Sequence, residues 1–174
     1  MDNGHDMGAP AVFLGLGSNL GDREAAIRGA LSRLAASGFR TTLLSSLWLT
    51  EPVGGPPQGA FLNAAAGGET ALSPEALLEA CLAAEREMGR VRTVRNGPRT
   101  IDVDVLLFGE ERRGGPGLEL PHPRLAERRF VLAPLAEIAP GVRHPVLGLT
   151  VAELLDRCPD RSAVRLYAPA VAPA

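Results

Sequence analysis

The run NGPRTIDVDVLLFG, Asn96 to Gly109, decides how this chain is read. From Thr100 it has the makings of a β-strand, rich in β-branched and large apolar residues and closed by a glycine. Side chains on a strand alternate faces. Ile101, Val103, Val105 and Leu107 are therefore expected on one face, facing the core. Asp102 and Asp104 share the other face, followed there by Leu106 and Phe108. Carboxylates two residues apart on one face sit roughly 7 Å apart and repel by roughly 2 kcal/mol at an effective dielectric of about 20. The chain contains no lysine to quench them. A divalent cation would turn that repulsion into attraction, and hard oxygen ligands suit magnesium.

Working outward, Arg90, Arg92, Arg95 and Arg99 precede the strand, with Gly89, Gly97 and Pro98 interspersed. A cationic loop thus feeds an acidic strand. Phosphoryl transfer uses such a pairing, with metal bridging phosphate oxygens and guanidinium groups stabilising charge that develops on them. Spacing alone describes equally well a surface strand whose aspartates pair with neighbouring arginines.

Composition narrows the field. The chain has 174 residues, 45% of them hydrophobic and 22% charged, which fits one ordinary globular domain. A net charge of −2 argues against a general nucleic-acid binder. All 18 basic residues are arginine, which excludes a Walker-type phosphate loop because that loop needs lysine. Cys81 and Cys158 are too far apart in sequence to suggest a metal site or disulfide scaffold, and Cys81 reads as a small buried hydrophobe. No leader and no apolar run of transmembrane length is seen, so the expectation is a cytoplasmic protein without membrane or nucleic-acid partners.

In order, residues 1–10 are expected to form a disordered tail, residues 11–167 a single domain, and the alanine- and proline-rich residues 168–174 a second disordered tail. Ala11 to Gly17 reads as a central strand. A helix follows to Ser37, with Asp22 as N-cap and Ile27, Ala30, Leu31 and Leu34 as its apolar stripe. The GSNLGDR turn before it is either a phosphate cradle or a tight strand-to-helix turn. Arg40 to Leu49 reads as one strand. Thr50 to Ala60 is a loop of prolines and glycines, either a functional lid or an irregular connection. Phe61 to Glu69 is another strand, and Ser73-Pro74 opens a helix running to about Met88. Glu85 sits near that helix's end, where a carboxylate opposes the dipole unless it has a partner. After the acidic strand, Leu118 to Leu120 offers a possible edge strand. Phe130 to Ile138 reads as a helix with Pro134 near its first turn, and Thr150 caps a last helix to Cys158. The order strand, helix, strand, strand, helix, strand predicts a ferredoxin-like βαββαβ α+β sandwich, an antiparallel sheet with helices packed on it and extra C-terminal helices.

The stretch GPRTIDVDVLLFG resembles the signature of the 6-hydroxymethyl-7,8-dihydropterin pyrophosphokinases of folate biosynthesis. The likeness runs along nearly the whole chain. LGLGSNLGDR, Thr50-x-Pro-x-Gly54, FLNAA at Phe61 to Ala65, GRVR at Gly89 to Arg92, Pro121-His122 and RRFVLAPLAEIAP all fall in family order. The resemblance implies a ferredoxin-like fold and an ATP:pterin diphosphotransferase that releases AMP and works with two magnesium ions, its partners being ATP and the pterin. It implies metal binding by Asp102 and Asp104, with Arg90 and Arg99 completing the catalytic set. ATP contacts would come from Glu85, Arg90, Arg92, Arg95, Arg99, His122 and Arg128. The pterin pocket would be made by Thr50, Val53, Gly54, Phe61, Asn63 and Phe130. A monomer is expected.

Some positions depart from the family pattern. Asn96 stands where many members carry a tryptophan that closes over the substrate, and Phe61 takes a position that is tyrosine in some relatives. Pro123 stands in place of an aromatic, and Gly117 and Glu119 lack the basic and hydroxyl groups of some relatives. These departures bear on loop closure and ATP affinity.

Overall fold

Residues 11–90 and 95–170 are described by the computed structural model. Residues 1–10, Arg92 and the last four residues lie outside that range. The strands are β1 (Val12–Ser18), β2 (Phe39–Leu44), β3 (Leu47–Thr50), β4 (Phe61–Thr70), β5 (Asp102–Phe108) and β6 (Val164–Ala168). The helices are α1 (Arg23–Ser37), α2 (Pro74–Glu87), α3 (Arg129–Ile138) and α4 (Val151–Arg157), with a single 3-10 turn at Leu125–Glu127. The sheet order is β5-β1-β4-β3-β6, with β2 also on β4, and every pairing is antiparallel. This is the ferredoxin-like α+β sandwich, extended by β6 and the C-terminal helices. No helix among the described residues is long and apolar enough to cross a membrane.

Local signals place the helices. Asp22 caps α1 by accepting the Ala25 N–H, and Gly38 ends it in the left-handed region. Ser73 caps α2 with Pro74 in its first turn, and Thr150 caps α4. α1 and α2 cover one face of the sheet, burying Ile27, Ala30, Leu34, Leu77 and Cys81 against Leu14, Leu16, Ile101, Val103 and Val105. Burial pushes the Cys81 thiol up to about 12, so it behaves as an inert hydrophobe. On the opposite face α3 and α4 bury Leu132, Leu135, Val151 and Leu154 against Phe13, Ala65, Leu106 and Leu107.

Four sequence expectations are corrected. Strict alternation along β5 fails after Val105. The register with β1 shifts between Phe13 and Leu14, leaving Leu106 as an extra residue in a bulge. Leu107 therefore packs with Leu106 under α3 and α4, and Phe108 joins the α1–α2 side. The single strand expected over Arg40 to Leu49 is two strands, broken at Ser45-Ser46. There the Ser45 hydroxyl accepts the Ala65 N–H, and Glu137 accepts from the Ser46 N–H and hydroxyl. Such side-chain bonds compete with the ladder. Leu118 to Leu120 forms no strand, only an isolated bridge from Leu120 to Arg113. Ala168, expected at the start of a C-terminal tail, instead closes β6, paired with Leu47 of β3.

Candidate active site

The register sets the site. On the face away from α1 and α2, Asp102 lies opposite Gly17 and Asp104 opposite Gly15. Gly17 is in turn opposite Asn63 of β4, Asn63 opposite Trp48 of β3, and Phe61 opposite Thr50. Two glycines in the middle of β1 leave open space between the aspartates and Asn63. A Cβ on Gly17 would stand 2.8 Å from the Asn63 Oδ1. The result is a cavity of about 350 Å³ walled by Thr50, Phe61, Asn63, Asp102, Asp104 and Phe130. A second cavity of about 260 Å³ lies beyond Asp104, lined by Leu78, Glu119 and His122. Asp104 borders both.

The two aspartates differ in company. One oxygen of Asp102 accepts from Arg90 at 2.7 Å and the other from Arg99 at 3.0 Å. Arg90 also reaches the buried Glu85 at 2.8 Å and the Ile101 carbonyl. Glu85 accepts the Val103 N–H at 2.9 Å, satisfying an amide on the outer edge of β5. The helix-end carboxylate thus has the Arg90 partner that its unfavourable dipole position calls for. Among the described residues Asp104 accepts no hydrogen bond. Burial, and then the Asp102 charge, push its carboxyl up to about 7, against the pull of Arg128 and Arg90.

The walls are equally defined. Asn63 is buried and donates from Nδ2 to the Thr50 hydroxyl at 2.5 Å, which fixes the amide with Oδ1 toward the Gly17 gap. The Arg99 guanidinium lies 5.9 Å from the Phe61 ring centre, and that of Arg128 5.6 Å from the Phe130 ring centre. His122 is tied to β5 through its N–H and the Leu106 carbonyl. Its Nδ1 accepts the Arg124 N–H, leaving the ring proton on Nε2. Burial and the Arg128 charge lower its pKa, so the ring is neutral at pH 7.

Thr50, Val53, Phe61, Asn63, Arg99, Asp102, Asp104, Arg128 and Phe130 all line the first cavity. His122 lines the second, while Glu85 and Arg90 stand behind Asp102. Gly54 and Arg95 are exposed and line neither cavity. Arg92 lies outside the described residues. Sequence reading missed a connector. Asn19 donates to Gln58 Oε1 and the Gly59 carbonyl, and accepts the Arg99 N–H at 2.9 Å. Gln58 donates to the Asn96 carbonyl at 2.7 Å. Asn96 is a non-glycine residue at φ 55°, and a Cβ on Gly55 would collide with its carbonyl. The only advance signal was the asparagine in GSNLGDR, which ties loops together through its side chain.

Paired carboxylates flanked by arginines, on the open face of a ferredoxin-like sheet, define an α+β protein whose cleft suits chemistry on phosphate. Residues 13–140 match the profile of the family described as 7,8-dihydro-6-hydroxymethylpterin-pyrophosphokinase, and the chain belongs to that family. It is 48% identical over 145 residues to a Methylorubrum extorquens protein named 2-amino-4-hydroxy-6-hydroxymethyldihydropteridine pyrophosphokinase, covering 83% of this chain and 90% of that one. A Pseudomonas aeruginosa protein of the same name is 43% identical over 158 residues, covering 89% and 96%. The crystal structure of Plasmodium falciparum HPPK-DHPS wild type superposes with a TM-score of 0.66 at 14% identity. It covers 86% of this chain and 44% of that longer one, a likeness of fold.

Proposed function

We propose that this chain transfers a pyrophosphoryl group from ATP to the hydroxymethyl oxygen of 6-hydroxymethyl-7,8-dihydropterin, releasing AMP, in folate biosynthesis. The observation that carries the reading is the projection of Asp102 and Asp104 from one face of β5 into the cavity that Asn63, Phe61 and Phe130 wall. The names borne by relatives of nearly the same length agree with it.

The residues present fit magnesium. Among the described residues Asp104 accepts from no donor, burial and then the Asp102 charge raise its proton affinity, and the donor set is hard oxygen. No cluster of three His, Cys, Asp or Glu able to hold a metal occurs among the described residues. Two carboxylates alone suit an ion that arrives with phosphates, as magnesium does. Asp102 and Asp104 would hold it. Once bound with ATP, it would neutralise the triphosphate and lower the proton affinity of the attacking oxygen.

The protein groups divide the remaining work. Arg90 and Arg99, now on Asp102, meet a more highly charged partner when a triphosphate enters beside them. Arg128 reaches the nucleotide from the first cavity, and the neutral His122 through Nε2–H from the second. Phe61 and Phe130 present ring faces to the flat pterin. Asn63 Oδ1, held in orientation by Thr50, accepts from the pterin's amide and amino edge. The Thr50 to Ala60 loop, fastened to Asn96 through Gln58, excludes water from the cleft.

Product analysis tests the reading. Incubation with ATP, the pterin and magnesium should release AMP in proportion to pyrophosphorylated pterin, and omission of the pterin should stop it. Release of ADP or phosphate, or equal turnover without the pterin, would replace this reading with a simple kinase or a phosphohydrolase.

A further inference from the structure

Helix α3 forms one wall of the first cavity; Leu132 and Leu135 seat it in the core, yet its own capping signals are weak. It has ten residues, no side-chain cap hydrogen bond at its N-cap Arg128, and Pro134 inside it. The missing proline N–H leaves the Phe130 carbonyl without its helical donor. A helix this short is marginal without tertiary support. Two carboxylates supply that support, Asp160 from outside the helix at its N-terminal end and Glu137 from its own last turn.

At the cavity end, Asp160 accepts the Arg129 N–H at 3.1 Å, filling the role of the absent cap from 31 residues downstream. Its other oxygen is held by the Ser162 N–H at 2.9 Å and by the Ser162 hydroxyl. Asp160 also lines the first cavity. At the far end, Glu137 accepts the Ser46 N–H at 3.1 Å, the Ser46 hydroxyl at 2.7 Å and the Trp48 indole N–H at 2.9 Å. These donors lie where β3 begins, and β3 ends in Thr50, the partner of Asn63. The helix bearing Phe130 is thus fastened to the strand bearing Thr50.

We propose that Asp160 and Glu137 are positioning residues for the pterin wall, with Asp160 setting Phe130 and Arg128 at the cavity mouth and Glu137 setting α3 against β3. This rests on the reading of Phe130 as a face of the pterin pocket. Neither carboxylate takes part in the chemistry. Without Asp160 the first turn of α3 loosens, and the pterin meets a wall that must be ordered on binding. That weakens capture of the pterin more than turnover of the bound complex.

The test is steady-state AMP release by the full chain, with near-UV circular dichroism as the folding control. Asp160→Ala should raise the pterin KM about tenfold with kcat changed less than about threefold. Asp160→Asn keeps an acceptor for the Arg129 N–H and should return the KM to within about threefold of wild type. Glu137→Ala should shift the emission of Trp48, the chain's one tryptophan, and raise the pterin KM a few-fold. A pterin KM unchanged in Asp160→Ala, or an asparagine variant no better than alanine, overturns the proposal. If Asp160→Ala does not fold, Ser162→Ala decides. It removes only the hydroxyl that steadies Asp160, so a raised pterin KM supports the proposal and an unchanged one overturns it. A wild type that releases AMP while these variants keep its pterin KM defeats this inference alone. A wild type that releases none defeats the functional reading beneath it.

Discussion

The two faces of β5 carry different duties in seven residues. On one, Ile101 (just ahead of the strand), Val103 and Val105 are buried under α2, and every atom there adds to folding. On the other, Asp102 and Asp104 stand half-buried over a cavity, Asp102 between two guanidiniums and Asp104 with no donor among the described residues. As far as Val105 the strand therefore anchors the fold with its odd positions and gives up stability at Asp102 and Asp104. The site depends on that concession. A carboxylate with its proton affinity near neutrality is a poor stabiliser and a ready ligand for a cation that brings phosphate.

The largest effect should come from the acidic face. Alanine at both Asp102 and Asp104 should lower kcat/KM at least about 1000-fold, ~4 kcal/mol, with no loss of melting temperature. Near-normal AMP release by that double variant would end the comparison. Arg99→Ala should reduce kcat about 100-fold, by analogy with the loss of one charged donor at a developing charge. If only the Michaelis constant moves, Arg99 binds and does not catalyse. On the buried face, Ile101→Ala should cost about 3 kcal/mol of stability in denaturant titration and leave the pterin KM unchanged in the folded protein. Kinetic losses as large as the stability loss would show that the faces are not separable.

Proton linkage sharpens the contrast. The folded Asp104 carboxyl titrates at about 7, above its value in the unfolded chain. The folded state then holds the extra proton, so the metal-free protein loses stability as pH rises from about 4 to about 7. Asp104→Asn should therefore stabilise the metal-free protein at pH 8 by on the order of 2 kcal/mol, a gain that vanishes near pH 4, while abolishing turnover. His144, far from the site, gives the smallest effect. Its Nδ1 accepts the Val146 and Leu147 N–H groups, and burial lowers its pKa. Its contribution is present above the unfolded histidine range and is lost as pH falls through the lowered folded value. His144→Ala should destabilise by about 1 kcal/mol at pH 8, with the difference shrinking below pH 6.

The sequence made the regular parts legible. Alternation placed both aspartates on one face, capping residues placed the helices, and the apolar stripe of α1 packs as its periodicity requires. The bulge at Leu106 stayed hidden, because an extra residue changes pairing without changing composition. β6 stayed hidden because VRLYA is short and half-exposed, and only its edge pairing with β3 makes it a strand. Arg99, singled out from the arginine run, and Phe61, placed by the family resemblance, both line the first cavity. Asn19, Gln58 and Asp160 were not legible, since each acts on a segment more than 30 residues away. Gly54 and Arg95 show the converse, neighbours of site residues in sequence that face solvent outside the cavities.

The most direct measurement is a crystal structure with a non-hydrolysable ATP analogue, magnesium and the pterin. The account predicts carboxylate oxygens of both Asp102 and Asp104 at about 2.1 Å from the cation, with the pterin ring between Phe61 and Phe130. Magnesium held by other groups, with the aspartates still bound to Arg90 and Arg99, would contradict it.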